Sequence, residues 1–273
     1  MKIKPKYKKL ISEIGKILLG LVLLMPLFIL LITAFMSKAD VLSIPFNLSI
    51  KNPTLDNFEY VFQYMDVLVY LKNTFIVILV CVPMQVFTAL LAAYAFSYFE
   101  FPFKNAIFTM LLMSMMIPGE VVINTLFKMI VNWSLVNTYS SLIITHLVSV
   151  GAMFMFRQNM LSLPRSLWEA ARIDGCSDMR YFSSILVPLC KPLIVARVLE
   201  SFIFTYNSHL WPTLVITTNS MKTVQVGIAS ITGAQHSGIV MAAVVCVLII
   251  PICIFIFGMD KITEGMTAGA VKS

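Results

Sequence analysis

The side chains able to do chemistry are few in this 273-residue chain, and their spacing excludes more than it offers. His146, His209 and His236 are scattered and belong to no H-E-x-x-H or related metal-holding pattern. Cys81, Cys176, Cys190, Cys246 and Cys253 show no C-x-x-C spacing, and three of them lie in apolar runs where they pack as small hydrophobes. Neither a disulfide framework nor a metal site is implied. No paired carboxylates and no nucleophile–base set stand out in the apolar runs, which argues against an enzyme embedded in a membrane. No G-x-x-x-x-G-K-S/T loop occurs either, so the chain carries no P-loop for a nucleotide. What remains is one polar stretch, Glu169-Ala170-Ala171-Arg172-Ile173-Asp174-Gly175, which continues to Ile185-Leu186-Val187-Pro188.

The elements that must hold this stretch are apolar. Hydrophobic residues make up 59% of the chain and charged residues 12%, and the mean hydropathy is +0.90. Such a polypeptide belongs among membrane lipid. The formal net charge of +7 does not indicate nucleic acid, because the cations flank apolar runs and form no basic domain.

Hydropathy predicts an all-α polytopic membrane protein with six transmembrane helices, at about 17–36, 73–98, 106–126, 139–157, 193–212 and 238–258. The run after the basic residues 1–16 is long enough to cross a hydrocarbon core of about 30 Å, so it reads as a retained helix rather than a signal peptide. Pro26 and Pro83 are tolerable within their helices, and Pro118-Gly119-Glu120 marks a place where the third run breaks. Residues 37–70 read as a polar segment with turn signals at Pro45 and Pro53 and a short helix near Leu55 to Tyr64. Residues 17–259 thus form a six-helix transmembrane domain that includes a loop at 158–192, and 260–273 form a tail. The side holding both termini and the 158–192 loop carries 14 Lys and Arg residues against 5 on the other. The positive-inside rule therefore places both termini and the loop in the cytoplasm.

Within the loop, Ser162 as a cap candidate, Pro164 in a first turn and Gly175 just past the end predict a helix over about 164–174. Leu167, Ala170, Ala171 and Asp174 share one face, and Trp168, Glu169, Arg172 and Ile173 the other. Glu169 and Arg172 are spaced for a local ion pair. A second helix is predicted over Ser177 to Leu186, stopped by Pro188. From periodicity alone this region is equally an amphipathic connector lying on the membrane surface.

The series Glu169, Ala170, Ala171, Gly175, Ile185 and Pro188 resembles the signature loop of permease subunits of ABC importers, with Val187 standing where that family usually has Leu. Met116-Ile117-Pro118-Gly119-Glu120, Val136-Asn137-Thr138-Tyr139, Phe156-Arg157-Gln158, Val226-Gly227 and Thr267-Ala268-Gly269-Ala270 look like the permeases of carbohydrate importers, of the maltose and glycerol-3-phosphate transporter kind. Asn207 through Leu210-Trp211-Pro212 is nearest the glycerol-3-phosphate type, with Tyr206 where Trp usually precedes the Asn. The resemblance implies a type I ABC-importer permease fold in a bacterial cytoplasmic membrane. It also implies a second homologous permease, a cytoplasmic ATPase dimer and an extracytoplasmic solute-binding protein as partners. No cofactor would bind this chain, since ATP and Mg would sit on the partner ATPase. The 164–175 helix would couple ATP hydrolysis to transport of a small carbohydrate or polyol, with glycerol-3-phosphate or a phosphodiester as the alternative, and Glu169, Ala170, Ala171 and Gly175 would make the contact.

Charged residues in apolar runs suggest function by default. Arg197 and Glu200 are spaced for a local ion pair, and Glu120 follows a helix break, so both sites have structural readings. Asn207, His209, Trp211 and His146 are candidates for a solute path, since polar and aromatic groups bond and stack on a polyol or sugar. His146 serves equally as an interhelical hydrogen-bonding group, and Asn207 as a packing group. A secondary transporter would need central intramembrane carboxylates and internal repeats, and neither is evident.

Overall fold

The computed structural model describes residues 5–43, 52–233 and 236–270. Lys2 and Lys4 of the basic N-terminus, the Pro45 turn and the last three residues lie outside the described residues. Among those described, the chain is helical throughout, its β-structure limited to an isolated bridge between Met36 and Pro53. It divides into two compact units, one of residues 1–67 and 227–249, the other of 68–226 and 250–273.

In the first unit α1 (Pro5–Ala34) keeps Pro26 inside the helix, and its Ser12–Ala34 part is long and apolar enough to cross a membrane. The carbonyls at its end and just beyond are met from α3 (Asp56–Tyr64): the Asn57 amide donates to both Ala34 O and Met36 O at 2.9 Å. Between them, α2 (Lys38–Val41) is capped by Ser37, whose hydroxyl accepts from Asp40 N–H. The final helix, numbered below, begins here, with Gly238 in its first turn. A Cβ at that position would lie 2.8 Å from Asn57 Nδ2, so glycine lets the two elements close.

In the second unit α4 (Val67–Tyr98) is the central helix; it begins earlier than the 73–98 run predicts and passes Pro83 without ending. Next come α5 (Lys104–Ser114) and α6 (Gly119–Asn132), which meet at 95°, so the predicted 106–126 crossing is broken. Pro118 causes the break: it sits extended at ψ 135 before α6, and a proline cannot donate to the preceding turn.

The predicted 139–157 crossing is also interrupted. It consists of α7 (Tyr139–Ile143), a 3₁₀ turn over Ile144–His146 and α8 (Val150–Ser162). Thr138 and Ser149 cap the two α-segments by accepting from Ser141 N–H and Ala152 N–H.

The polar loop holds α9 (Arg165–Ile173), α10 (Asp178–Tyr181) and α11 (Val187–Leu189). Contrary to expectation, Pro188 does not stop the helix. A π turn over Phe182–Leu186 pairs Val187 N–H with Phe182 O, and the widened turn admits the proline ring. The chain then bends by 74° into α12 (Lys191–Tyr206), so the predicted 193–212 crossing ends at Tyr206. The unit closes with α13 (Leu210–Val215), a 3₁₀ turn over Asn219–Met221 and the start of α14 (Val224–Ala229). The last helix, α15 (Ser237–Ala270), keeps Pro251 inside. Among the described residues four helices are long and apolar enough to cross a membrane, or six if each bent pair forms one span.

Candidate functional site

Helix α9 is built to stand as a rigid, short rod. Ser162 does not cap it, because that hydroxyl donates to Asn159 O at 2.7 Å; Pro164, extended, takes the N-cap position instead. At the other end Cys176 N–H bonds Ala171 O at 2.9 Å and Gly175 N–H bonds Arg172 O at 3.1 Å, the paired bonds of a Schellman stop. Gly175 has φ +73, a conformation that costs any residue with a Cβ about 1 kcal/mol or more.

Within the chain α9 buries Trp168 and Ala171, one residue from each of the two faces that helical spacing defines. Trp168 has by far the largest surface to bury, so it sets the rotation of the helix. Its ring meets Tyr181 at 4.7 Å, Tyr98 at 5.2 Å and Tyr94 at 6.2 Å between centroids. The Tyr94 hydroxyl donates to Asp178 O at 3.0 Å, so the same rings hold the following helix. Glu169, Ala170, Arg172, Asp174 and Gly175 are exposed, and Ile173 is 86% exposed. The expected Glu169–Arg172 ion pair does not form; the Arg172 guanidinium lies over the Trp168 ring at 5.4 Å. An exposed ion pair contributes little, and a tryptophan face competes with it.

The candidate solute-path residues separate into two groups. His146 and Trp211 line a cavity of about 20 Å³ with Thr74, Thr205, Ser208 and Thr223. Asn207 and His209 do not line it and are exposed. Trp211 is held by its indole N–H, which donates to Ser141 O at 2.8 Å. His146 Nδ1 pairs with the neighbouring Thr145 hydroxyl at 2.8 Å, and its interhelical bond runs through the main chain. Gln85 Nε2 donates to His146 O at 2.6 Å, and Gln85 Oε1 accepts from Ser201 Oγ at 3.1 Å. Asn207 Oδ1 accepts from Gln225 Nε2 at 3.4 Å.

Sequence reasoning overlooked Gln85, Asn73 and Thr74, which are the interior polar anchors of α4. Asn73 Nδ2 donates to Ser220 O and Lys222 O, each at 2.9 Å, and its Oδ1 accepts from the Tyr139 hydroxyl at 2.6 Å. Their signal was available as uncharged polar residues inside an apolar run, where helices hydrogen-bond to one another. The Arg197–Glu200 pair forms as expected, at 2.7 Å, with a further bond from Arg197 to Ser149 Oγ at 2.8 Å. Glu120 is exposed in the first turn of α6, where a carboxylate complements the helix dipole. Among the described residues no group of His, Cys, Asp or Glu is placed to hold a metal ion.

Residues 85–264 match the family described as binding-protein-dependent transport system inner membrane component. The arabinooligosaccharides transport system permease protein AraQ of Bacillus subtilis is 31% identical over 93% of this chain and 92% of its own length. The sn-glycerol-3-phosphate transport system permease protein UgpE of Salmonella typhi is 32% identical over 92% of this chain and 93% of its own. A chain from the crystal structure of a bacterial ABC transporter that imports the acidic polysaccharide alginate superposes with a TM-score of 0.78 at 17% identity, covering 96% of this chain and 99% of that one. That likeness gives the fold, an ABC-importer permease fold of membrane-crossing helices, and the named relatives are transport subunits and not enzymes. With the family match spanning the loop, both bent helix pairs and Gln85, the chain belongs to the inner membrane components of binding-protein-dependent transport systems, as a multi-pass permease of the sugar ABC-transporter group.

Proposed function

We propose that this permease passes a small carbohydrate or polyol-type solute across the bacterial cytoplasmic membrane, driven by ATP hydrolysis on partner ATPase chains and coupled through residues 164–175. The observation that carries this reading is the division of α9 into a seated face and a bare one. Trp168 and Ala171 lock it to the chain's own aromatic cluster, and Glu169, Ala170, Ile173 and Gly175 stand free. An exposed isoleucine ringed by charged residues suits the cleft of a protein partner. Ala171 then acts from within the seat, by holding the rod, and Glu169, Ala170 and Gly175 make the contact. ATP and Mg bind the partner, which fits the absence of a P-loop in this sequence. The charge count supports a cytoplasmic position for the loop and both termini.

A second homologous permease and an extracytoplasmic solute-binding protein complete the assembly in this reading. His146 and Trp211 mark one part of the solute path, and Asn207 and His209 an exposed part. Glycerol-3-phosphate or a phosphodiester is the alternative solute, favoured by the UgpE relatives. The test is the pair Gly175→Asp and Glu169→Lys, read by co-purification of an ATPase from membranes and by solute uptake. Both signals are expected to fall about tenfold or more. Assembly and uptake at wild-type levels in both variants would refute the coupling assignment.

A further inference from the structure

Phe103, between α4 and α5, carries two costs at once. Its φ of 59 and ψ of 15 lie in the left-handed region, where a Cβ crowds the following carbonyl. The residue is also 80% exposed within the chain. A glycine would take this backbone freely, so the bend itself does not call for an aromatic side chain. Nearby, Phe101 packs inward against Phe96 with centroids 5.5 Å apart, whereas Phe103 makes no ring contact among the described residues. A strained residue that also exposes a large ring points to something outside the chain that receives it.

The setting of the bend identifies what that is. Phe99–Phe103 joins α4, a helix able to cross a membrane, to α5, the first half of a bent span. No charged residue lies between Lys72 and Glu100, a stretch of about 40 Å at 1.5 Å per helical residue. That matches a bilayer with its headgroup layers, about 40–45 Å, so Glu100 and the bend stand at headgroup level. Lys104 is already engaged there: its ammonium donates to Phe99 O at 2.8 Å and pairs with Glu100 at 3.1 Å. The bend therefore offers its surroundings a ring and not a free cation. Ile107 and Met110, 42% and 71% exposed, follow Phe103 at i+4 and i+7, so an apolar stripe climbs α5 and ends at this ring. The outer end of such a stripe is where aromatic rings are favoured.

We propose that Phe103 is an interfacial wedge, projected by its left-handed backbone into the boundary between lipid headgroups and acyl chains, and that it anchors the end of α4 on which α9 is seated. Phe99, in the same bend, meets Tyr94 edge-on at 5.2 Å, and Tyr94 meets Trp168 at 6.2 Å. Two ring contacts thus link the wedge to the rod. The wedge goes beyond the coupling assignment, since it needs no contact with an ATPase.

The test places one 4-trifluoromethylphenylalanine at position 103 of the full chain, in phosphatidylcholine nanodiscs. A lipid spin-labelled near the top of its acyl chain is expected to broaden the fluorine signal away. A signal that survives the labelled lipid overturns the proposal. If a soluble gadolinium chelate then removes it, the ring faces water; if the chelate also leaves it, a second copy of the chain covers the ring. Hydrogen exchange in the same nanodiscs reads the anchoring. Phe103→Ala should speed exchange at residues 95–104 about threefold or more, and Phe103→Trp, which keeps an interfacial ring, should preserve the wild-type rate. Equal exchange in wild type and Phe103→Ala would remove the anchoring role. Neither measurement depends on ATPase co-purification or uptake, so the wedge and the coupling role fail separately.

Discussion

The Trp168 ring meets the Tyr181 ring edge-on, with centroids 4.7 Å apart and planes at 74°. Trp168 belongs to the exposed rod α9 and Tyr181 to the helix after it, and Tyr94 and Tyr98 at the end of α4 close around both. A push on the bare side of α9 therefore reaches the long helix α4 through packed rings, which do not compress.

Trp168→Ala removes the centre of this seat. A loss of about 3 kcal/mol is expected from the cavity it leaves. Trp168→Phe, which keeps a ring, should cost well under that. Hydrogen exchange in residues 165–176 is the sensitive measurement, since the rod should open locally before the bundle melts. Protection that is unchanged in Trp168→Ala would show that the seat does not hold the rod.

Gln85 gives a second expectation, located inside the membrane-spanning region. Its amide satisfies the His146 carbonyl where the 3₁₀ turn ends, and its oxygen receives the Ser201 hydroxyl. Gln85→Leu leaves that carbonyl unpaired at about 1–3 kcal/mol, and Gln85→Glu restores only the acceptor. Thermal unfolding in detergent should rank wild type above both variants. Equal midpoints would mean that the carbonyl is satisfied in another way.

The Arg197–Glu200 pair should respond asymmetrically. Arg197 is 13% exposed by its side chain and bonds both Glu200 and Ser149, whereas Glu200 is 61% exposed. Glu200→Gln is expected to cost less than about 1 kcal/mol because solvent screens that partner. Arg197→Met removes two bonds and should cost more, about 2 kcal/mol. Unfolding midpoints of the two variants, compared directly, decide the order, and the reverse order would contradict the geometry.

Asn207 separates path from packing. Its one side-chain bond, to Gln225, is long at 3.4 Å, so Asn207→Ala should change stability by less than about 0.5 kcal/mol. If Asn207 faces the solute, uptake falls at unchanged membrane abundance. Uptake and solute preference equal to wild type would remove it from the path.

Much of this protein is dictated locally. The apolar runs are too long and too uncharged for any surroundings but lipid. The Gly175 stop was legible because only a residue without Cβ takes φ +73 cheaply. The Arg197–Glu200 pair was legible because helical spacing alone brings the two together. The Glu169 stretch stood out for the same reason, as polar residues in short-range register.

Tertiary structure decided everything that depends on a distant neighbour. Periodicity defines the faces of α9 but not which of its residues are buried, and the tyrosines of α4, remote in sequence, turned Trp168 inward. Pro188 is a stop signal to its own helix, yet the π turn before it redistributes the hydrogen bonds and lets the helix pass. The 139–157 run has the hydropathy of one crossing, but Gln85 supplies the bond that lets it break at His146. Thr205 and Thr223 are inconspicuous in the sequence; only the fold sets them with His146 and Trp211 around one small cavity, because a cavity is made by residues that share space and not by residues that share spacing.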